Sequence, residues 1–193
     1  MEKIALKQVL VDQQKEFAKV FKGVVVEREV EQKFKQMLSD DLIKVITGAR
    51  RCGKSFLARK ILAEKNCGYI NFDDERLAGV KTENLNDLLE ILKELKTNIE
   101  YLFFDEIQNI AGWELYVNRL KRSDYNIVIT GSNSKLLSKE LATHLTGRHV
   151  SLELFPFSFA EYLSFKGLKF VNQDFYSTDK KAIIKQELDK YMK

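Results

Sequence analysis

The chain has 193 residues, 45% of them hydrophobic, which suits one domain of ordinary to large size with a full core, or such a domain with a short appendage. Charged residues make up 31%, both signs are interspersed and the net charge is +4, so the surface is mildly basic and solvated without a nucleic-acid signature. Met1–Leu10 lacks a long apolar run, no stretch approaches the roughly 20 apolar residues of a membrane span, and Cys52 and Cys67 give neither a disulfide framework nor metal-ligand spacing, so a soluble, cytoplasmic protein is expected.

In chain order, Met1–Phe21 has helical periodicity, with Ile4, Leu6, Val9, Leu10, Phe17, Val20 and Phe21 recurring near helical spacing and Gly23 placed to end the helix. Glu27–Leu38 reads as a second helix with Val30, Phe34, Met37 and Leu38 on one face. The pattern then changes. Leu42–Ile46 is a short apolar run rich in β-branched residues, followed by a glycine-containing loop and a helix over Lys54–Glu64. A strand at Tyr69–Phe72, an amphipathic helix at Leu85–Leu95, a strand at Tyr101–Phe104 and a helix at Trp113–Lys121 follow. Ile127–Ile129 is a fourth strand, Lys135–Leu141 looks helical and Val150–Leu154 is a fifth strand. This alternation predicts a parallel sheet covered by helices on both faces, and the nearly continuous apolar runs fit strands buried on both sides. The sole proline, Pro156, precedes Phe157, Phe159, Tyr162, Leu163 and Phe165, a helix packed by its aromatics. Lys180–Met192 is a polar amphipathic helix without a core of its own, which either docks on the sheet domain or belongs with something longer.

Gly48-Ala49-Arg50-Arg51-Cys52-Gly53-Lys54-Ser55 matches G-x-x-x-x-G-K-[ST] in full. Glycines let the backbone curl tightly around phosphate oxygens, and the helix that follows presents its N-terminus to the same anion. Lys54 would reach the β- and γ-phosphates, the Ser55 hydroxyl would ligate Mg²⁺, and Phe56 continues the binding segment onto the helix. The bare pattern occurs by chance; the strand before it and the helix after it are the context that gives it meaning. Arg50 or Arg51 either helps hold phosphate or is a solvated arginine. Cys52, beside a helix N-terminus, is a small residue that fits the loop, with a redox switch as the rival account.

Tyr101-Leu102-Phe103-Phe104-Asp105-Glu106 is an apolar strand ending in two carboxylates. With a phosphate loop upstream, Asp105 is placed to hold Mg²⁺ and Glu106 to polarise an attacking water as general base, against the alternative of two solvated acids. Ile127–Ile129 runs into Thr130-Gly131-Ser132-Asn133, where Ser132 or Asn133 would sense the γ-phosphate or orient the water, although Gly-Ser-Asn is also turn chemistry. All three segments sit at C-terminal strand ends, where open α/β sheets bind ligands.

These segments, with Asn71-Phe72-Asp73-Asp74-Glu75-Arg76-Leu77, Leu145-Thr146-Gly147-Arg148 and Leu154-Phe155-Pro156-Phe157-Ser158-Phe159-Ala160-Glu161-Tyr162, resemble the AAA-type P-loop ATPases of prokaryotes, specifically the AAA_14 group, from about Val25 to Tyr162. The resemblance implies an α/β three-layer sandwich, a parallel five-stranded sheet of order 5-1-4-3-2 with N-terminal helices, in which the acid-bearing strand does not adjoin the phosphate-loop strand. It implies ATP, which no residue here distinguishes from GTP, and a γ-phosphate contact from Arg148, in cis or from a neighbouring subunit. The expected organisation is an N-terminal helical segment at 1–38, the ATPase domain at 39–165 and a C-terminal helical extension at 166–193. Members of the group continue with a further domain where this chain stops, so a shortened chain or an isolated ATPase domain is expected.

Two readings follow. The first is an ATP-hydrolysing domain that drives or switches a process, with a second copy of the chain or a further domain as partner. The second is a nucleic-acid-binding module that uses ATP as a conformational switch; it rests on mild basicity and on Arg119, Lys121 and Arg122, then Lys166 and Lys169, for which solvated helix faces are the rival account. A small-molecule kinase is disfavoured by Glu106. Asp73–Arg76 either supports the site or caps a helix. The client, the oligomeric state and the kind of macromolecular partner are not legible.

Overall fold

The computed structural model describes residues 2–19, 25–131 and 145–192. Gly23, the stretch Lys135–Leu141 and the two candidates Ser132 and Asn133 lie outside the described residues. Five strands, β1 (Ile43–Gly48), β2 (Cys67–Asn71), β3 (Tyr101–Asp105), β4 (Asn126–Thr130) and β5 (His149–Leu154), form one parallel sheet in the order β2-β3-β4-β1-β5. This is the expected 5-1-4-3-2 order read from the other edge. It places β4 between β1 and β3.

The strands alternate between two apolar cores, one on each face of the sheet. Ile43, Val45, Ile70, Leu102, Phe104, Ile127 and Ile129 point into the first. Helices α1 (Lys3–Phe17), α4 (Leu85–Leu95) and α5 (Trp113–Arg122) close it, through side chains such as Leu10, Leu88 and Leu120. Ile46, Tyr69, Phe103, Val128 and Leu152 point into the second. There α2 (Glu31–Met37) and α3 (Lys54–Leu62) contribute Phe34, Met37, Leu57 and Leu62. Each such side chain contributes about 1.5–3 kcal/mol on burial. In β1 to β4 a one-residue slip would exchange the two sets, and in β5 it would turn the exposed Ser151 and Glu153 inward, so packing fixes the register.

Helix α1 also covers the free edge of β2. Gln14 donates to the Tyr69 carbonyl (2.6 Å) and accepts from the Tyr69 N–H (3.4 Å). Gln13 does the same at Asn71, with 3.1 Å to its carbonyl and 3.0 Å from its N–H. Two consecutive side-chain amides thus stand in for a sixth strand and satisfy backbone groups that an edge strand leaves open.

Several boundaries differ from the sequence reading. Helix α1 ends at Phe17, whose ring packs 4.9 Å from that of Tyr69, and the next two residues are exposed. Helix α2 starts at Glu31, four residues later than expected, because the Arg28 N–H is tied to the Glu31 carboxylate (3.0 Å) and the chain turns there. Strand β2 starts at Cys67, opposite Tyr101, and ends at Asn71; Phe72 leaves the strand while its N–H still donates to the Asp105 carbonyl (2.9 Å). Within β1, Lys44 is fully buried; its ammonium donates to the Asp40 carbonyl (2.6 Å) at the sheet's amino end, and burial pulls its pKa below the usual range.

Helix α6 (Phe159–Phe165) opens on a reciprocal cap. Ser158 Oγ accepts from the Glu161 N–H (3.2 Å), and the Ser158 N–H donates to Glu161 Oε2 (2.8 Å). Helix α7 (Thr178–Tyr191) packs on α6 through Phe159, Tyr162 and Tyr191, and the Tyr191 hydroxyl donates to the Phe157 carbonyl (2.6 Å). Among the described residues no helix is long and apolar enough to cross a membrane.

Candidate functional site

The segment after β1 is shaped by backbone conformation. Gly48 has φ 146°, and a Cβ placed there would lie 2.0 Å from the Leu154 carbonyl oxygen at the end of β5. Arg51 (φ 66°) and Gly53 (φ 97°) are left-handed and coil the chain into the first turn of α3, which starts at Lys54. A helix N-terminus carries partial positive charge and unpaired N–H groups, an environment that favours an anion. Lys54 is buried and folds back over its own loop, donating to the carbonyls of Gly48 (3.2 Å) and Ala49 (2.9 Å). Arg50 and Arg51 are exposed, as is Phe56, and Cys52 is buried beneath them.

Ser55 reaches across the carboxyl end of β4 to β3, where its hydroxyl donates to Asp105 Oδ1 (2.7 Å). Asp105 is held by two further hydroxyls that the sequence reading did not assign. Thr130, at the end of β4, donates to Oδ1, and Tyr69, on β2, donates to Oδ2 (3.1 Å). Burial pushes the Asp105 carboxyl above the usual range, against the Thr130 and Ser55 hydrogen bonds, and the neighbouring Glu106 charge adds to the push. Burial, then the Asp105 charge, pushes the Tyr69 hydroxyl upward as well, so it stays a donor.

Glu106 takes a left-handed conformation (φ 53°, ψ 40°), which costs a residue with a Cβ about 1–2 kcal/mol. Two contacts hold it there: its N–H donates to Thr130 Oγ1 (3.2 Å), and its carboxylate accepts from the Gln108 amide. Gln108 Oε1 is buried without a hydrogen-bond partner among the described residues. Unfavourable backbone held by surrounding contacts is a feature of working sites.

The phosphate loop, Asp105 and Glu106 therefore meet at the carboxyl end of the sheet. Arg148 does not join them. It precedes β5 at the amino end, where Ile43 pairs with His149 and Gly48 with Leu154, so the strand length separates it from the loop by roughly 20 Å. Its guanidinium donates to Asn118 Oδ1 on α5 (3.2 Å). This geometry takes Arg148 out of reach of phosphates held by its own loop. Asp74 accepts from the Arg76 N–H (3.0 Å) and guanidinium and caps a 3-10 turn, and Arg76 lowers its pKa to about 2.

Beside the loop lies a cavity of about 420 Å³. Cys52, Gly53 and Phe56 form one wall, Val26 and Arg28 a second, and Pro156, Phe157 and Phe165 a third. It is mostly apolar and adjoins the anion-favouring helix terminus. Arg28, which the sequence reading passed over, is 7% exposed and donates to the Cys52 carbonyl from behind the loop (3.0 Å). No local motif marks Arg28 or Tyr69; Thr130 had a signal in its position at a polar strand end.

The AAA_14 family, described as an AAA domain, matches residues 40–163. The chain is 42% identical, over 99% of its length, to an uncharacterized protein of Methanocaldococcus jannaschii. It is 37% identical, over 76% of its length, to an uncharacterized protein of Haemophilus influenzae. It spans 42% and 39% of those two relatives, so it matches about two fifths of each. With a phosphate loop and an acidic strand end set on a sheet of this order, the chain belongs to the AAA_14 family of AAA-type P-loop ATPase domains.

Proposed function

We propose that this domain binds ATP with Mg²⁺ and hydrolyses it to ADP and phosphate to drive or switch a further process. The observation that carries the reading is the Ser55–Asp105 hydrogen bond (2.7 Å) across the end of β4, with Glu106 the next residue. Ser55 and Asp105 supply the hard oxygen donors that magnesium takes, and they are the pair that would hold the ion, whose charge would offset that of the β- and γ-phosphates. Lys54 exchanges its loop carbonyls for phosphate oxygens. The Glu106 carboxylate accepts a proton from water as the water oxygen bonds to the γ-phosphorus and the bond to the bridging oxygen breaks. The apolar cavity beside the loop suits a purine base, which supports a nucleotide over inorganic triphosphate. Arg148 acts from a neighbouring chain, where its guanidinium offsets charge on the transferred group; Ser132 or Asn133 senses the γ-phosphate.

Nucleic acid as the partner has less support. Lys121 is paired with Asp41, Arg119 with Asn86, and Lys166 lies over the Tyr162 ring, so these cations are engaged on their own surface.

The test is Mg²⁺-dependent binding and hydrolysis of ATP and GTP. A charge-assisted hydrogen bond contributes about 1.5–3 kcal/mol, so Lys54→Ala should weaken ATP binding by about tenfold to a hundredfold. Glu106→Gln should keep binding and lose about 10²- to 10⁴-fold in turnover. Binding without turnover in the wild type would leave a switch instead of a hydrolase. No binding at all would defeat the reading.

A further inference from the structure

Arg28 lies outside the family match at 40–163, yet its guanidinium ties together three segments. Nη1 donates to the Cys52 carbonyl in the phosphate loop (3.0 Å), Nη2 to the Phe155 carbonyl after β5 (2.7 Å), and Nε to Glu161 Oε1 on α6 (2.9 Å). Its charge also sits 4.8 Å from the centre of the Phe157 ring. Glu161 is equally enclosed, at 6% exposed. The Oε1 that meets Arg28 also takes the Glu29 N–H (2.9 Å), and Oε2 takes the Ser158 N–H (2.8 Å). Burial alone would raise the Glu161 pKa; Arg28 and the two backbone donors hold it below the usual range.

A buried ion pair is a poor device for stability alone, because well-packed apolar residues in its place are often neutral or better. Here the pair joins the segments that wall the cavity beside the loop. Any ligand filling that cavity meets the loop, the Val26–Arg28 segment and the 156–165 segment at once. Lys54 donates to the Gly48 and Ala49 carbonyls of the same loop whose Cys52 carbonyl Arg28 holds, so a phosphate that takes Lys54 would release two contacts in that loop.

We propose that Arg28, with Glu161, is a positioning residue that couples occupancy of the phosphate loop to the segment 155–165. The proposal rests on the nucleotide-binding reading. Coupling free energies are reciprocal, so nucleotide orders α6, and whatever engages α6 alters nucleotide affinity in return.

The experiment is amide hydrogen exchange on the whole chain, with and without Mg²⁺ and a non-hydrolysable ATP analogue, for wild type, Glu161→Gln and Arg28→Lys. Both variants keep a polar partner, and wild-type exchange in β3 and β4 certifies that a variant is folded. In the wild type the analogue should slow exchange in residues 48–62 and also, about fivefold or more, in 159–165. In the variants, saturating analogue should still protect 48–62 while the response at 159–165 is lost. A merely structural pair would leave the nucleotide-dependent difference intact. Protection of the loop without α6 in the wild type, or an unchanged α6 response in both variants, overturns the coupling and spares the nucleotide reading. No protection of 48–62 in the wild type overturns both.

Discussion

Asp105 is held at the expense of the resting fold. Its carboxylate is 4% exposed, adjoins Glu106 and is satisfied by three hydroxyls, those of Ser55, Thr130 and Tyr69. Its folded pKa lies above the unfolded value, so the ionised form is disfavoured in the fold. The resulting penalty is complete above the folded pKa, shrinks as pH falls through it, and is gone below the unfolded pKa. Asp105→Asn should therefore raise the melting temperature of the nucleotide-free protein at pH 7, each kcal/mol being worth about 2–4 °C in a chain of this size. The gain should vanish in a melting series taken toward pH 3, and the same variant should lose Mg²⁺-dependent nucleotide binding. Asp105 was legible because a strand of apolar residues ends on it. Tyr69 and Thr130 act only because β2, β3 and β4 lie side by side, a non-local fact that no spacing along the chain expresses.

The loop between β1 and α3 is bounded by β5. Gly48 pairs with Leu154, and the space a side chain would need at position 48 is taken by a backbone carbonyl, which cannot swing aside as a side chain would. Gly48→Ala should therefore separate the ends of β1 and β5 and cost several kcal/mol, read as a large drop in denaturation midpoint together with lost nucleotide binding. Where the physics is local, the elements were legible. Strands buried on both faces are continuous apolar runs, which made β1 to β4 legible, whereas β5, at the sheet edge, shows itself by alternation, with Leu152 and Leu154 buried and Ser151 and Glu153 exposed. Boundaries failed where tertiary contacts decide them. Cys67 and Gly68 carry no strand signal, yet they pair with Tyr101 and Leu102, and Arg28–Val30 fits a helix by periodicity while its hydrogen bonds lead elsewhere. Lys44 interrupts no pattern because its stem is apolar and its ammonium reaches a carbonyl at the end of the strand.

At the scale of the molecule, the phosphate loop and Arg148 lie at opposite ends of the sheet. If Arg148 serves a neighbour, Arg148→Ala should lower turnover by about a thousandfold. Mixing it with the inactive Lys54→Ala chain should then restore turnover, since each supplies what the other lacks; activity no greater than the sum of the two would exclude that role. The family match begins at residue 40, whereas the glutamines that cover β2 stand at 13 and 14. A fragment trimmed to the matched residues would keep the phosphate loop and acids but bare the N–H and carbonyl groups of Tyr69 and Asn71. Such an edge recruits strands from other copies, so the trimmed fragment should aggregate on light scattering where the whole chain does not. Gln13 and Gln14 thus belong to the same folded unit as the sheet they cover, although they stand upstream of the matched residues.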